Sequence, residues 1–172
     1  MSNRLAFIGA GRMAGAMVRG ILKKGVCEAR HVICTSAPDG TAEKLSEETG
    51  IRVTYEWKEL LQDANWIILA CKPQQLKELP EELAELSSGK RILSILAGTT
   101  LQRLEEVFPQ ADNIVRCMPN TPGMIGEGIT AFSSLNDMHD EDEANVRGML
   151  GALGEVVSLP EDALDAVTGV SG

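Results

Sequence analysis

The stretch from Leu5 to Gly20 constrains this chain more than any other. An apolar run, Leu5-Ala6-Phe7-Ile8, leads into Gly9-Ala10-Gly11-Arg12-Met13-Ala14, and apolar residues at helical spacing follow at Met13, Met17 and Ile21. This reads as a buried strand, a tight turn and an amphipathic helix starting near Gly11. The turn carries G-x-G-x-x-A, in which each small residue has a physical role. Gly9 permits the turn, Gly11 lets backbone approach a pyrophosphate, and Ala14 lets the helix pack close to the strand. The helix start adds free N–H groups and a partial positive charge, both suited to an anion. A tight strand–helix turn that binds nothing is the alternative; the apolar strand before it and the amphipathic helix after it favour dinucleotide binding.

The rest of the chain repeats that alternation. Strands are expected at 31–35, 51–55, 66–70, 91–96, 113–118 and 128–133, with a short one at 156–159. Helices are expected near 40–49, 56–63, 101–108 and 144–153, and from Pro160 onward. Leu76, Leu79, Leu83 and Leu86 give a further helix an apolar stripe, bent at Pro80. The run Trp66-Ile67-Ile68-Leu69-Ala70 suits a central strand covered on both faces. The pattern predicts an α/β fold, a doubly wound parallel sheet with helices on both faces and right-handed crossovers. Ligands of such sheets bind beyond the carboxyl ends of the strands. There the sequence brings Gly9 to Ala14, Thr35-Ser36, Ala70 to Pro73 and Ala97-Gly98 together, with Met118 to Thr121 beside them.

The second strand ends in Thr35-Ser36-Ala37, with no acid before Asp39. An acid at that point usually holds a ribose 2′-hydroxyl. Two hydroxyls, with Arg12 near the glycine turn, instead favour a 2′-phosphate and hence NADPH; capping of the next helix is the other reading of Thr35 and Ser36. A net charge of −9 argues against nucleic acid or an anionic membrane as partner. The four cysteines form no C-x-x-C pair and read as reduced thiols of a cytoplasmic protein, with no metal site. No stretch reaches the roughly 20 apolar residues of a membrane span.

Taken together, Phe7-Ile8-Gly9-Ala10-Gly11-x-Met13-Ala14, Lys72-Pro73-Gln74, Ala97-Gly98, Arg116-x-Met118-Pro119-Asn120-Thr121-Pro122 and Asp165-Ala166-Val167-Thr168-Gly169-x-Ser171-Gly172 resemble pyrroline-5-carboxylate reductase in order and spacing. The resemblance implies a Rossmann-like domain over 1–160. It implies that 161–172 begin a connection to a C-terminal helical domain, absent from these 172 residues, which forms the homo-oligomer and most of the substrate pocket. It implies reduction of 1-pyrroline-5-carboxylate to L-proline with NADPH, or NADH. Ile8 to Met13 would wrap the pyrophosphate, Ser36 would meet the adenosine ribose or its phosphate, and Ala70, Cys71, Lys72, Pro73, Ile95 and Ala97 would line the nicotinamide half, with Asn120 beside it. Lys72 reads equally as an anion-steering group or as a charged strand end. Asn120 would bond the carboxamide or the loop itself. Trp57, where many members carry asparagine, reads as packing, with stacking on adenine the alternative. No general acid is evident, so the expectation is a chain that binds NADPH and turns over slowly or not at all alone. A non-catalytic NADP-binding regulatory module and a related imine or β-hydroxyacid dehydrogenase are the other readings.

Overall fold

The computed structural model describes residues 3–171, and of 168–171 only the backbone. Gly172, the last residue of the terminal motif, lies outside the described residues. Eight strands form one sheet: β1 (Leu5–Ile8), β2 (Val32–Thr35), β3 (Arg52–Val53), β4 (Trp66–Leu69), β5 (Arg91–Ser94), β6 (Asn113–Met118), β7 (Gly128–Ser134) and β8 (Gly154–Ser158). Their order is β3-β2-β1-β4-β5-β6-β7-β8. Strands β1 to β6 run parallel. The order reverses between β1 and β4, so the carboxyl end of β1 opens into the crevice where such sheets bind ligands.

The helices are α1 (Arg12–Lys23), α2 (Thr41–Thr49), α3 (Trp57–Leu61), α4 (Glu82–Leu86), α5 (Leu101–Val107), α6 (Asp140–Leu150) and α7 (Glu161–Ser171). The strands alternate their side chains between two cores, as parallel strands covered on both faces must. Leu5, Phe7, Trp66, Ile68, Leu93 and Val115 join Met17 and Ile21 of α1 and Met149 of α6. Ala6, Ile8, Ile67, Leu69, Ile92 and Ile114 join Leu60, Leu83 and Leu104 of α3, α4 and α5. Met13, Met17 and Ile21 all lie on the sheet side of α1, as their spacing requires.

Two expectations are refined. The leucine-striped segment is not one bent helix. It is a 3₁₀ turn, Pro73–Glu78, followed by the separate α4. Leu79 between them is extended (φ −64°, ψ 137°), the region to which a residue before proline is pushed. At one edge the sheet is not parallel: β7 runs antiparallel to β6, and β8 parallel to β7. Only residues 119–127 join β6 to β7, too few for a helical crossover, so the chain turns back.

Helix α7 is tied to the sheet by a buried cation. Arg116 of β6 is fully buried, and its guanidinium bonds Glu161 at 3.1 Å and Asp165 at 2.5 Å. Glu161 also accepts the Leu101 N–H at 2.7 Å, which binds α7 to the start of α5. Leu164 packs beside them against Met118 and Ala131.

The four cysteines are free thiols; Cys27, Cys34 and Cys117 are buried and Cys71 is partly so. Burial pushes Cys27 and Cys34 up to about 11, and pushes Cys117 higher still. A folded pKa above the unfolded value means stability that is complete below the unfolded value and is lost as pH rises towards the folded one. The melting temperature is therefore expected to hold up to about pH 9 and to fall steadily between there and pH 11, in calorimetry across that range. A flat profile there would show that the thiols are not protected.

Candidate functional site

The glycine turn sits between the ends of β2 and β4. Gly9 N–H donates to Thr35 O at 2.8 Å, and Ala70 N–H donates to Ile8 O at 2.8 Å. Gly9 has φ +112°, and a Cβ there would lie 2.4 Å from Ala70 O. Any side chain would collide with the end of β4, so this glycine is demanded by the fold. Gly11 differs. It takes the N-cap of α1 with an ordinary φ of −72°, and a Cβ there would meet nothing within 4 Å. Nothing in the protein requires a glycine at 11. The space it leaves lies at the exposed start of a 12-residue helix that has no side-chain cap and no acid in its first turn. A free N-terminus of that kind holds unpaired N–H groups and positive potential.

That turn opens into a groove of about 400 Å³. From the expected set, Ile8, Gly9, Ala10, Gly11, Thr35, Ser36, Ala70, Cys71 and Lys72 line it. Burial raises the Cys71 thiol, which stays neutral in the groove wall. Lys72 is exposed on the rim. Its backbone N–H donates to the Gln75 side chain at 2.9 Å, which fixes the entry to the 3₁₀ turn that Pro73 begins.

The other expected residues lie elsewhere. Ala14 is buried where α1 meets the sheet, and Met13 packs on the same core. Arg12 lines a neighbouring cavity. Ile95 donates its N–H to Leu69 O and packs on the first core, and Ala97 is exposed beyond β5; neither borders the groove. Asn120 Oδ1 accepts the Ile129 N–H at 3.0 Å, so its carbonyl holds its own loop.

Sequence reasoning missed part of the wall. Asp39, Thr41 and Tyr55 border the groove, as does Trp57, which the sequence assigned to packing. Trp57 does both: it packs against the second core and borders the groove. Tyr55 is about half exposed, and its hydroxyl donates to Glu43. One signal in the sequence was available. Tyr55 and Trp57 directly follow the third strand, and loops after strands converge at this end. Among the described residues there is no metal-ligating cluster and no helix long and apolar enough to cross a membrane.

An apolar strand, a glycine turn and a free helix N-terminus, opening on a groove at the reversal of strand order, define a dinucleotide-binding α/β domain. More particularly, the chain belongs to the family described as NADP oxidoreductase, coenzyme F420-dependent, whose profile matches residues 4–98. It is also similar to two curated pyrroline-5-carboxylate reductases. It is 34% identical to the one from Synechocystis over 100% of this chain and 64% of that protein, and 35% identical to the one from Arabidopsis thaliana over 99% of this chain and 62% of that protein. The chain thus spans somewhat less than two thirds of these relatives' length. Among solved structures it resembles a pyrroline-5-carboxylate reductase from Coxiella burnetii (TM-score 0.92, 26% identity, 100% of this chain and 64% of that one). It also resembles that of Streptococcus pyogenes (TM-score 0.83, 27% identity, 98% and 62%).

Proposed function

We propose that this chain is the cofactor-binding part of a pyrroline-5-carboxylate reductase, with residues 1–160 as the NADP domain. Residues 161–172 begin the connection to a helical part that completes the substrate pocket and the homo-oligomer. The single observation that carries the reading is Gly11: an N-terminus left open by a glycine that the fold itself does not need. When bound, NADPH supplies the hydride that reduces the C=N bond of 1-pyrroline-5-carboxylate to L-proline.

The protein's share is binding, orientation and exclusion of water. Ile8 to Met13 offer backbone N–H groups to the diphosphate, and Ala14 lets their helix sit close to the sheet. Thr35 and Ser36 stand at the ribose end. Tyr55 and Trp57 give an aromatic wall on which an adenine can stack. The nicotinamide half runs past Ala70 and Cys71 of the groove wall towards Pro73, Ile95, Ala97 and Asn120, which lie beyond the groove. Lys72, exposed at the mouth, attracts an anionic group. No residue of this chain is assigned the proton transfer to the ring nitrogen, and slow turnover by the chain alone is part of the reading. A soluble, cytoplasmic protein with a small-molecule partner completes it.

Thermal-shift titration with NADPH tests the reading first. At 100 times the dissociation constant the stabilisation should be about 2.7 kcal/mol. No shift at millimolar coenzyme would rule the reading out. Replacing Tyr55 by Ala should weaken NADPH about tenfold, since the ring is exposed and its loss costs a stack and not the core. Unchanged affinity would remove the aromatic wall from the scheme. Steady-state proline formation by the 172-residue chain should be far below that of a complete enzyme; full turnover would overturn the division of labour proposed here.

A further inference from the structure

Strands β7 and β8 run parallel, and a parallel pair is normally covered on both faces. One face is covered: Phe132 and Val156 pack on the first core with Val146 and Met149 of α6. The other face carries Ile129, Ala131 and Val157, with Glu155 directly across from Ile129. Helix α7 covers only its inner part, where Leu164 packs on Met118 and Ala131. Beyond α7 the strip is open: Ile129 is 52% exposed and Val157 39%. Among the described residues five large apolar side chains stay exposed. Four of them, Met124, Ile125, Ile129 and Val157, belong to β7, β8 or the loop that enters β7. Apolar surface gathered at one edge in this way marks a contact.

The surroundings define what fits. The rest of this sheet face is roofed by α3, α4, α5 and α7, so the element that continues the layer is a helix beside α7, at about 8–10 Å from it. Glu155 stands within the strip and Glu127 precedes it. Both are exposed, and neither has an ion-pair partner among the described residues. A second copy of this chain fits badly. A two-fold contact sets a face against itself, which here opposes Glu155 to Glu155 between chains of net charge −9. An apolar helix flanked by cations satisfies both the strip and its acids.

We propose that this strip seats an amphipathic helix of the helical part, lying beside α7 with its apolar stripe on Ile129 and Val157 and with Lys or Arg facing Glu155 and Glu127. The proposal rests on the helical part assigned above. It is tested by joining the remaining third of the Synechocystis reductase, the stretch that this chain does not match, after Gly172. This extended chain is compared with the 172-residue one. Thiols are introduced singly by Ile129→Cys, Val157→Cys and, on exposed Glu47 of α2, Glu47→Cys; maleimide labelling at each is followed by peptide mass.

In the 172-residue chain the three introduced thiols should label within about fivefold of one another, with melting temperatures within about 2 °C of the wild type. In the extended chain the thiols at 129 and 157 should slow about tenfold or more, and the one at 47 should not. Adding Glu155→Lys there should return the rate at 157 about threefold or more. Rates at 129 and 157 that stay level with 47 in the extended chain would overturn the proposal. So would slow labelling already present in the 172-residue chain together with a dimer in sedimentation, which would make the occupant a second copy. Protection that Glu155→Lys leaves intact would remove the cationic flank. NADPH titration of the 172-residue chain keeps the two levels apart. A chain that binds NADPH and gains no protection on extension keeps the cofactor domain and loses this surface; a chain that binds no coenzyme loses the proposed function.

Discussion

Gly11→Val should abolish coenzyme binding while leaving the protein folded. Valine accepts the extended backbone of this position (φ −72°, ψ −170°), and its Cβ meets no atom within 4 Å. The cost to stability is that of a poor N-cap, less than about 1 kcal/mol. The branched side chain then occupies the space in which a diphosphate would lie against the helix start. Losing two charge-assisted bonds there, at about 1.5–3 kcal/mol each, corresponds to at least about a hundredfold in affinity. Gly9→Ala is the contrasting variant. A positive φ and a 2.4 Å collision with Ala70 O combine strain and overpacking, about 3 kcal/mol or more. It should lose stability and binding together. Urea unfolding with NADPH titration separates the two. A Gly11→Val protein that binds NADPH normally would remove the central premise of the proposed function.

The second large effect concerns Arg116, and it should be asymmetric. The guanidinium is fully buried, whereas the Glu161 and Asp165 side chains are 32% and 63% exposed. Replacing both acids by Ala strands a buried cation with no partner, a loss of about 3–5 kcal/mol. Replacing Arg116 by Met removes the buried charge, fills similar volume, and leaves two carboxylates that water can reach. That variant should lose no more than about 1–2 kcal/mol. Arg116→Met placed in the double-alanine background should recover part of the stability, a coupling that denaturant unfolding of the full cycle would measure. Equal losses from either side would show that the guanidinium is hydrated and that α7 is held by Leu164 alone.

The two predictions differ in how legible they were. The glycine turn could be read locally, because conformational permissiveness and close approach are properties of single residues. Arg116 was visible only as part of a resemblance. Nothing in the pattern Asn113-Ile114-Val115-Arg116-Cys117-Met118 says which face the cation takes or what it meets 45 and 49 residues later. The candidate site shows the same division. Nine of the expected residues border the groove because each ends a strand or begins the turn after one. Ile95, Ala97 and Asn120 follow β5 and β6, on the opposite side of the β1–β4 reversal from β2 and β3, whose loops line the groove; Ile95 packs on the first core and the Asn120 carbonyl holds its own loop.

By itself, the sequence determined the alternation of strand and helix, the two-sided burial of the central strands and the glycine turn, since these follow from periodicity and from what one residue's backbone can adopt. Only the tertiary structure decided the reversal of β7, the entry of Asp39, Tyr55 and Trp57 into the groove wall, and the engagement of Ser36 and Thr41 by their neighbours. Periodicity gives the face of an element. Which loops and side chains share a cavity depends on strand order and connection length, which no local window contains.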